Sequence, residues 1–296
     1  MCDYIRPQGR RTQTHQHRET PLGEGSRGKM VKQDRPRIAI IGAGNVAWHM
    51  SRALSAVADV VQIAATSLDS AQHLADELNR FNGNEICSAA DGLSGLFPDC
   101  DLYLIAVRDD AVAAVADNTP DFSGVWAHTS GSVSLDALAG KSRRGVFYPL
   151  QTFTRGVPVD FRRVPMLIEG SDEATSHFLT SLARQIAGET RTVDSAKREA
   201  IHVAAVFACN FANLMWADAD RLLRDAGLDL SLMHPLLQAT LDKLEAASPV
   251  DAMTGPARRG DIKVIQRHLK SLPADLKPVY EMLTDNIRKL YSCHHE

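Results

Sequence analysis

The stretch Arg37-Ile38-Ala39-Ile40-Ile41-Gly42-Ala43-Gly44-Asn45-Val46-Ala47-Trp48 constrains the fold more than any other part of the chain. Its unbroken apolar run, Ile38 to Ile41, suits a parallel strand covered on both faces. Gly42 can take the tight exit from that strand, Gly44 leaves no Cβ between backbone and a pyrophosphate, and Ala47 is small enough for close packing of helix on strand. The helix that follows points free N–H groups and its positive dipole end at the phosphates. A GxGxxA pattern alone is weak. Here it follows a strand pattern, opens a helix and precedes a second strand, Val60 to Ala65, so the context required of a dinucleotide-binding βαβ unit is met. Gly42, Gly44, Asn45, Val46 and Ala47 are the expected cofactor contacts.

Cofactor choice turns on the end of the second strand. An Asp or Glu roughly 20 residues past the glycines would hold the ribose hydroxyls of NAD and repel a 2′-phosphate. Ala64, Ala65, Thr66 and Ser67 supply two hydroxyls and no carboxylate. Thr66 and Ser67 are therefore read as cofactor contacts with room for a 2′-phosphate, which favours NADP over NAD, although no Arg stands there to pair with it. Asp69 reads as the N-cap of the next helix.

Further strands are expected at Glu85 to Ser88, Asp101 to Val107 and Gly124 to His128. Their alternation with helices implies an α/β fold with a doubly wound parallel sheet, the Rossmann arrangement, in which ligands sit outside the carboxyl ends of the strands. Val107 and Arg108 then face the cofactor, while Asp109 and Asp110 read as caps of a helix over Ala111 to Ala116. His128 ends a strand at the same edge, where it either donates a proton or binds substrate, or is a satisfied structural group; the residues leave both open. Ser130 and Gly131 form a small polar turn that a nicotinamide or substrate can approach closely. Gly145 to Phe153 reads as a sixth strand running into a loop, with Gln151 and Thr152 placed to orient a substrate. Val164 to Ile168 and Thr190 to Val193 flank an amphipathic helix from about Asp172 to Ile186 and extend the sheet.

From Asp194 or Ser195, either of which can cap a helix, the pattern is helical to the end. No Gly or Pro occurs from Glu189 to Ala226, and Gly227 stands as a C-terminal stop. A helix of about 30 residues spans roughly 45 Å, more than one small domain needs, so it is expected to cross to a partner. Its middle, from Ile201 through Phe207 and Phe211 to Met215, is apolar nearly all round, which predicts burial on most sides. Advancing 100° per residue from His202 places Ser195 and Asn213 about 20° away, Asp220 in line, Glu199 about 60° and Asn210 about 80° away. That polar sector, shared with Val206 and Cys209, predicts a cofactor cleft or a two-fold interface; His202 and Asn210 are assigned to the cleft. Further helices are expected at Leu230 to Ala247, Asp261 to Leu272 and Pro278 to Ser292, broken at Pro249, Gly255-Pro256 and Pro273. In the second break Asp261 can cap a helix, and Arg258 or Arg259 either clamps a carboxylate or phosphate or is solvated surface.

The chain thus divides into a tail over 1–36, a dinucleotide domain over 37–193 and a helical domain over 194–296. The tail has eight Lys/Arg against four Asp/Glu, little aliphatic periodicity and no apolar core of a signal peptide. It reads as disordered, with Met30 as a candidate start of translation. With the whole chain at a net charge of -3, the rest is more acidic still, which disfavours nucleic acid as a partner. Five cysteines without CxxC spacing fit a reducing cytosol and no metal cluster. Ile201 to Ala217, the most apolar long run, is interrupted by His202, Asn210 and Asn213 and is short for a membrane span.

Taken together, Gly42 to Ala47, Ala106 to Asp110, His128 to Ser132, Tyr148 to Phe153, His202 with Asn210-Phe211, and Gly255-Pro256 through Arg259-Gly260-Asp261 make the chain from about Arg37 to Tyr291 resemble a known group. It is similar to the Rossmann-like, NADP oxidoreductase-type proteins with a helical DUF2520 part, relatives of the 6-phosphogluconate dehydrogenase, pyrroline-5-carboxylate reductase and deazaflavin-dependent NADP oxidoreductase families. The resemblance implies an N-terminal Rossmann domain, a C-terminal all-α domain of the 6-phosphogluconate dehydrogenase C-terminal-like type, and a homodimer through the helical domains. Members of the family often carry Ser-Arg at the end of the second strand, where Ala65-Thr66 stands here, which weakens the NADP preference.

The first functional reading is an NADP-dependent oxidoreductase acting on a small carbonyl or imine. Hydride transfer needs a proton donor near the nicotinamide. His202 or His128 is the expected donor, Asn210 and Ser130 orient the reacting group, and Arg259 binds an acidic tail such as that of a ketopantoate-like 2-keto acid, a substrate suggested by family analogy alone. The alternative is a non-catalytic sensor that changes its contacts when the dinucleotide binds.

Overall fold

The computed structural model describes residues 35–292, and the run Ile38 to Ile41 lies inside one sheet. The strands are β1 (Arg37–Ile41), β2 (Asp59–Ala65), β3 (Ser88–Asp91), β4 (Leu102–Ile105), β5 (Val125–His128), β6 (Arg144–Pro149), β7 (Pro165–Gly170) and β8 (Glu189–Thr192). Their order is β3-β2-β1-β4-β5-β6-β7-β8. The first six have the doubly wound order whose reversal lies between β1 and β4, the place where such sheets bind dinucleotides.

Side chains alternate across β1, so the run feeds two cores. Ile38 and Ile40 pack with helices α1 (Asn45–Ser55), α2 (Leu68–Asn82) and α4 (Glu173–Ile186), while Ala39 and Ile41 pack with α3 (Val112–Asp117), Leu138 and the Tyr103–Trp126 pair on the other face. Those two rings stack at 4.4 Å, and the buried Lys141 donates from Nζ to the Thr119 carbonyl at 2.6 Å, its ammonium 4.3 Å from the Trp126 ring.

The doubly wound, parallel-dominated sheet is as expected, and β7 joins it antiparallel to β6. Several local expectations need correction. β3 begins at Ser88, where a strand over Glu85 to Ser88 was expected: Asn79 binds both the N–H and C=O of Cys87 and holds the preceding segment off the sheet. The N-cap of α2 is Ser67, whose hydroxyl accepts from the Ser70 N–H, and Asp69 lies in the first turn. Asp109 and Asp110 form no caps; they lie in a 3-10 turn that precedes α3, with Arg108 at its N-cap position. Asp194 and Asp261 do cap their helices, Asp172 caps α4, and Gly227 has the positive φ of a helix stop.

After β8 every described element is helical. The long helix comprises α5 (Ser195–Ala205), a π-helical segment (Val206–Phe211) and α6 (Ala212–Asp225). Then follow α7 (His234–Ala246), α8 (Pro249–Ala252), α9 (Pro256–Arg259), α10 (Ile262–Ser271) and α11 (Lys277–Ser292). Ile201 docks the long helix on Val146, Tyr148 and Leu167 of the sheet. Burial on most sides is not observed within the chain: Val203, Phe207, Phe211 and Leu214 are 50, 66, 48 and 54 % exposed. The continuous helix also outruns the apolar stretch read from sequence, so Ser195–Asp225 is long and apolar enough to cross a membrane by length and composition. The tail and Met30 lie outside the described residues, apart from Arg35 and Pro36; the Pro36 carbonyl already accepts from the Asp59 N–H.

Candidate functional site

Strands β1, β2, β4, β5 and β6 end at one edge, which carries most of the residues expected to act. At the glycine turn the two glycines differ in kind. Gly42 has φ of +123°, and a Cβ there would lie 2.3 Å from the Ala106 carbonyl oxygen, so the fold itself demands glycine. Gly44 is exposed, and a Cβ there would meet nothing within 4 Å. The space in front of it is open, as a turn that lets a pyrophosphate approach the backbone requires. The Gly44 carbonyl accepts the first intrahelical bond of α1, from Trp48, so the N–H groups of Asn45, Val46 and Ala47 precede the ladder and face the strand edge. Ala47 is fully buried against the sheet, and the Asn45 side chain donates to the Phe153 carbonyl at 3.0 Å.

Thr66 and Ser67 stand exposed after β2, though the Ser67 hydroxyl also serves its cap. Val107 is half-buried beside Gly42, and Arg108 is exposed and paired with Asp110 at 2.7 Å. Asp109 instead accepts from the Ser132 hydroxyl at 2.5 Å. Ser130 Oγ accepts from the N–H groups of Ser132 and Val133, which shapes the turn after β5.

His128 is fully enclosed, and its Nδ1 accepts from the Ser130 N–H at 3.2 Å. Burial, then the positive charge of Arg198, hold its pKa down at about 4, against smaller upward pulls from the Ser134 backbone and Asp109. The sign of the consequence is fixed. An imidazole in the unfolded chain titrates near 6.5, so between about pH 4 and 6.5 the unfolded state binds more protons and stability falls as pH falls. Wild-type protein should lose about 2 kcal/mol between pH 7 and pH 5 through this group, read by urea unfolding, and His128→Gln should flatten that slope. Equal slopes for the two proteins would contradict the enclosure.

Arg198, 1 % exposed, ties the long helix to the sheet. Its guanidinium pairs with Glu169 of β7 and donates to the Val133 carbonyl and, at 3.2 Å, to the Ser195 hydroxyl. Ser195 Oγ in turn donates to Glu169 at 2.9 Å and accepts from the Leu135 N–H at 3.1 Å. One turn further on, His202 meets the sheet: its Nδ1 lies 3.2 Å from Tyr148 Oη, with the ring centroids 6.1 Å apart. Gly131 fits beneath both rings only because it has no side chain, since a Cβ would come within 2.5 Å of His202 Nδ1 and 2.8 Å of Tyr148 Cζ.

Tyr148, Leu150, Gln151 and Thr152 face Ile201, His202, Cys209 and Asn210 across a cavity of about 390 Å³. The π segment explains how Asn210 comes to share it with His202. Its wider turn advances less than 100° per residue, so the phase of Asn210 slips back toward that of His202. The same slip removes Asp220 from the sector, and that carboxylate pairs with Arg224 at 2.8 Å. Gln151 Oε1 accepts from the Thr152 N–H at 2.8 Å. Arg259 is exposed and lines no part of this cavity, while Arg258 donates to the Asp251 and Met253 carbonyls. Nothing in the pattern around Tyr148 distinguishes it from strand core; the signal for its role is its position at the carboxyl end of β6, beside the turn after β5.

A larger hollow of about 530 Å³ lies along the outer side of α1, lined by Trp48, Arg52, Phe81 and Phe161. The end of β6 and the Tyr148–His202 pair line the smaller cavity, which the chemistry favours.

Fold and edge together define a class: a Rossmann dinucleotide sheet followed by a helical part built on one long helix. Residues 164–287 match the family described as Domain of unknown function (DUF2520). BF3122 of Bacteroides fragilis, designated an NADP oxidoreductase, is 32 % identical with a TM-score of 0.77, over 86 % of this chain and 99 % of that one. Protein TM1727 from Thermotoga maritima is 23 % identical with a TM-score of 0.62, over 88 and 100 % of the two chains. A reductive aminase from Aspergillus terreus, solved with NADPH and ethyl-5-oxohexanoate, shares the fold at 13 % identity and a TM-score of 0.66, over 88 and 100 %. No curated protein matches the chain. The chain belongs to the Rossmann-like NADP oxidoreductase family with a DUF2520 C-terminal part.

Proposed function

We propose that the protein is an NADP-dependent oxidoreductase that reduces a small carbonyl or imine. The observation that carries this reading is that Gly44 is bare for no internal reason, at the reversal of strand order, on the same sheet edge as a cavity walled by Tyr148, His202 and Asn210. When bound, the nicotinamide supplies the hydride. Gly44 and the α1 N–H groups hold the pyrophosphate, Thr66 and Ser67 accommodate the ribose and its 2′-phosphate, and Val107 and Arg108 flank the cofactor. The NADP oxidoreductase designation of BF3122 supports the choice of cofactor, and the ketone and NADPH in the reductive aminase support the substrate class.

Asn210, Ser130, Gln151 and Thr152 orient the substrate and His202 serves its protonation. His128 shapes the Ser130-Gly131 turn and takes no part in donation. Residues 37–193 are the cofactor domain and 194–296 the substrate-covering and dimerisation domain. A second copy covers the exposed Phe207, Phe211 and Leu214; the clamp of Arg198 to the sheet and the polar His202 and Asn210 within the apolar stretch favour this over a membrane. Arg259 lies outside the cavity of its own chain, so a role in binding an acidic substrate such as a 2-keto acid requires the partner's cleft.

The deciding experiment is calorimetric titration with NADPH and NADH side by side, followed by turnover assays on 2-keto acids and cyclic imines. Selective NADPH binding with NADPH oxidation is the expected result. Binding without turnover would favour the sensor reading, and failure of both cofactors to bind would overturn the proposal.

A further inference from the structure

We infer that Tyr148, through its hydroxyl, is the group that protonates the substrate, with His202 as the residue that restores its proton. This rests on the reductase reading and goes beyond it by naming the donor atom. Tyr148 is placed by the sheet: it lies near the end of β6, is paired in register with Leu167 of β7, and is only 9 % exposed. Its Oη is 3.2 Å from His202 Nδ1, and the two residues line the same cavity. Gly131 approaches the carbon that bears the hydroxyl and the same imidazole nitrogen so closely that no side chain fits between. The pair therefore sits directly on the turn after β5, which a nicotinamide or substrate is built to approach.

The chemistry assigns each atom a task. As the carbonyl or imine carbon gains hydride from the reduced nicotinamide, the electron pair of the C=O or C=N π bond moves to oxygen or nitrogen. That atom takes the proton from Tyr148 Oη. His202, with Nδ1–H donating to Oη, leaves the phenol's own hydrogen free for the cavity; as its Nε2 takes a proton from water, Nδ1 gives its proton to the phenolate. His202 is half-buried, and exchange of that Nε2 proton with solvent restores the Nδ1–H tautomer. The products are the alcohol or amine and the oxidised nicotinamide, and both protein groups return to their starting state. Burial, with Asp109 and Cys209 adding to it against Arg198, raises the Tyr148 pKa, so the phenol stays loaded with its proton through the neutral range.

The test uses full-length Tyr148→Phe and His202→Gln proteins and two readouts. The first needs no substrate: nitrogen-15 NMR of the histidines, with the His202 signals identified by their loss in His202→Gln. In wild type, Nδ1 should carry a proton with a hydrogen-bonded shift, and Tyr148→Phe should remove that signature while NADPH affinity stays within about twofold. An unchanged Nδ1 signal in Tyr148→Phe overturns the pair, whatever the enzyme acts on. The second is turnover on the substrates found for wild type. Tyr148→Phe should lower kcat by about 100-fold or more, within the range for a general acid, and His202→Gln should lower it less while adding a solvent deuterium effect to the return of the proton. Tyr148→Phe turning over within threefold of wild type overturns the donor role. Wild type with an intact pair and bound NADPH but no turnover overturns the reductase reading itself, and the donor role falls with it.

Discussion

Gly44→Ala should leave thermal stability unchanged and weaken NADPH binding by about 100-fold or more, whereas Gly42→Ala should lose both. The two positions are two residues apart, yet they answer to different neighbours. At Gly44 a Cβ meets nothing within 4 Å, and the backbone there is extended with φ of −80°, which alanine adopts without strain. The added methyl therefore costs the fold nothing and stands where a pyrophosphate must approach. A loss of roughly 3 kcal/mol from displaced phosphate contacts corresponds to that factor in affinity. At Gly42 the φ of +123° is strained for any L residue, and the methyl would lie 2.3 Å from the Ala106 oxygen, forcing β1 and β4 apart where the strand order reverses. Strain and overlap together should cost about 3 kcal/mol or more of stability. Paired melting curves and NADPH titrations on the two variants separate a glycine kept for the chain from one kept for the ligand. Unchanged NADPH affinity in Gly44→Ala would remove the phosphates from this turn.

The contrast also explains what the sequence could and could not convey. The glycine turn, the order of strands and helices, and the caps at Asp194 and Asp261 are local: each depends on a few adjacent residues whose preferences agree. β3 was displaced because Asn79, eight residues before Cys87, holds the intervening chain, a contact that no periodicity records. Asp109 reads as a cap in isolation, but Ser132, 23 residues later, claims its carboxylate. Strand direction at β7 depends on a return path that hydrophobic patterning leaves open.

The site was legible in outline for the same reason. His202 and Asn210 carried a signal because polar residues in an apolar helix need partners. A regular helix, however, separates them by about 80°, and the π segment narrows that angle where both line one cavity. Tyr148 carried no such signal, since a tyrosine in a strand is ordinary core material; its hydroxyl acquires meaning from an imidazole 54 residues away. The long helix carries a different kind of signal. The apolar faces around Phe207 and Phe211 predict cover, and within one chain they are open, because sequence reports that a face needs cover without saying which molecule supplies it.

That cover gives the last prediction: Phe207→Asp should convert a dimer into monomers at micromolar concentration. Phe207 is 66 % exposed in the single chain and contacts Phe211 edge-on at 5.0 Å, so the substitution removes little from the monomer's own core. In a two-fold interface each change is felt twice, once from each copy. An aromatic anchor contributes about 2 kcal/mol or more, and enclosing a carboxylate adds a penalty of similar size. Counted for both copies, the cost is about 8 kcal/mol, or more than a hundred-thousandfold in the dissociation constant. Sedimentation velocity of wild type and variant reads this directly, with a melting curve on each to show that the fold persists. Wild type that is monomeric, or a variant that remains dimeric, would overturn the assignment of this face to a second copy. Because Val206 and Ala208, on either side of Phe207, line the cavity, losing the partner should also expose the cleft to water. Turnover should then fall with the dimer while NADPH, held at the far end of the sheet edge by the glycine turn, still binds.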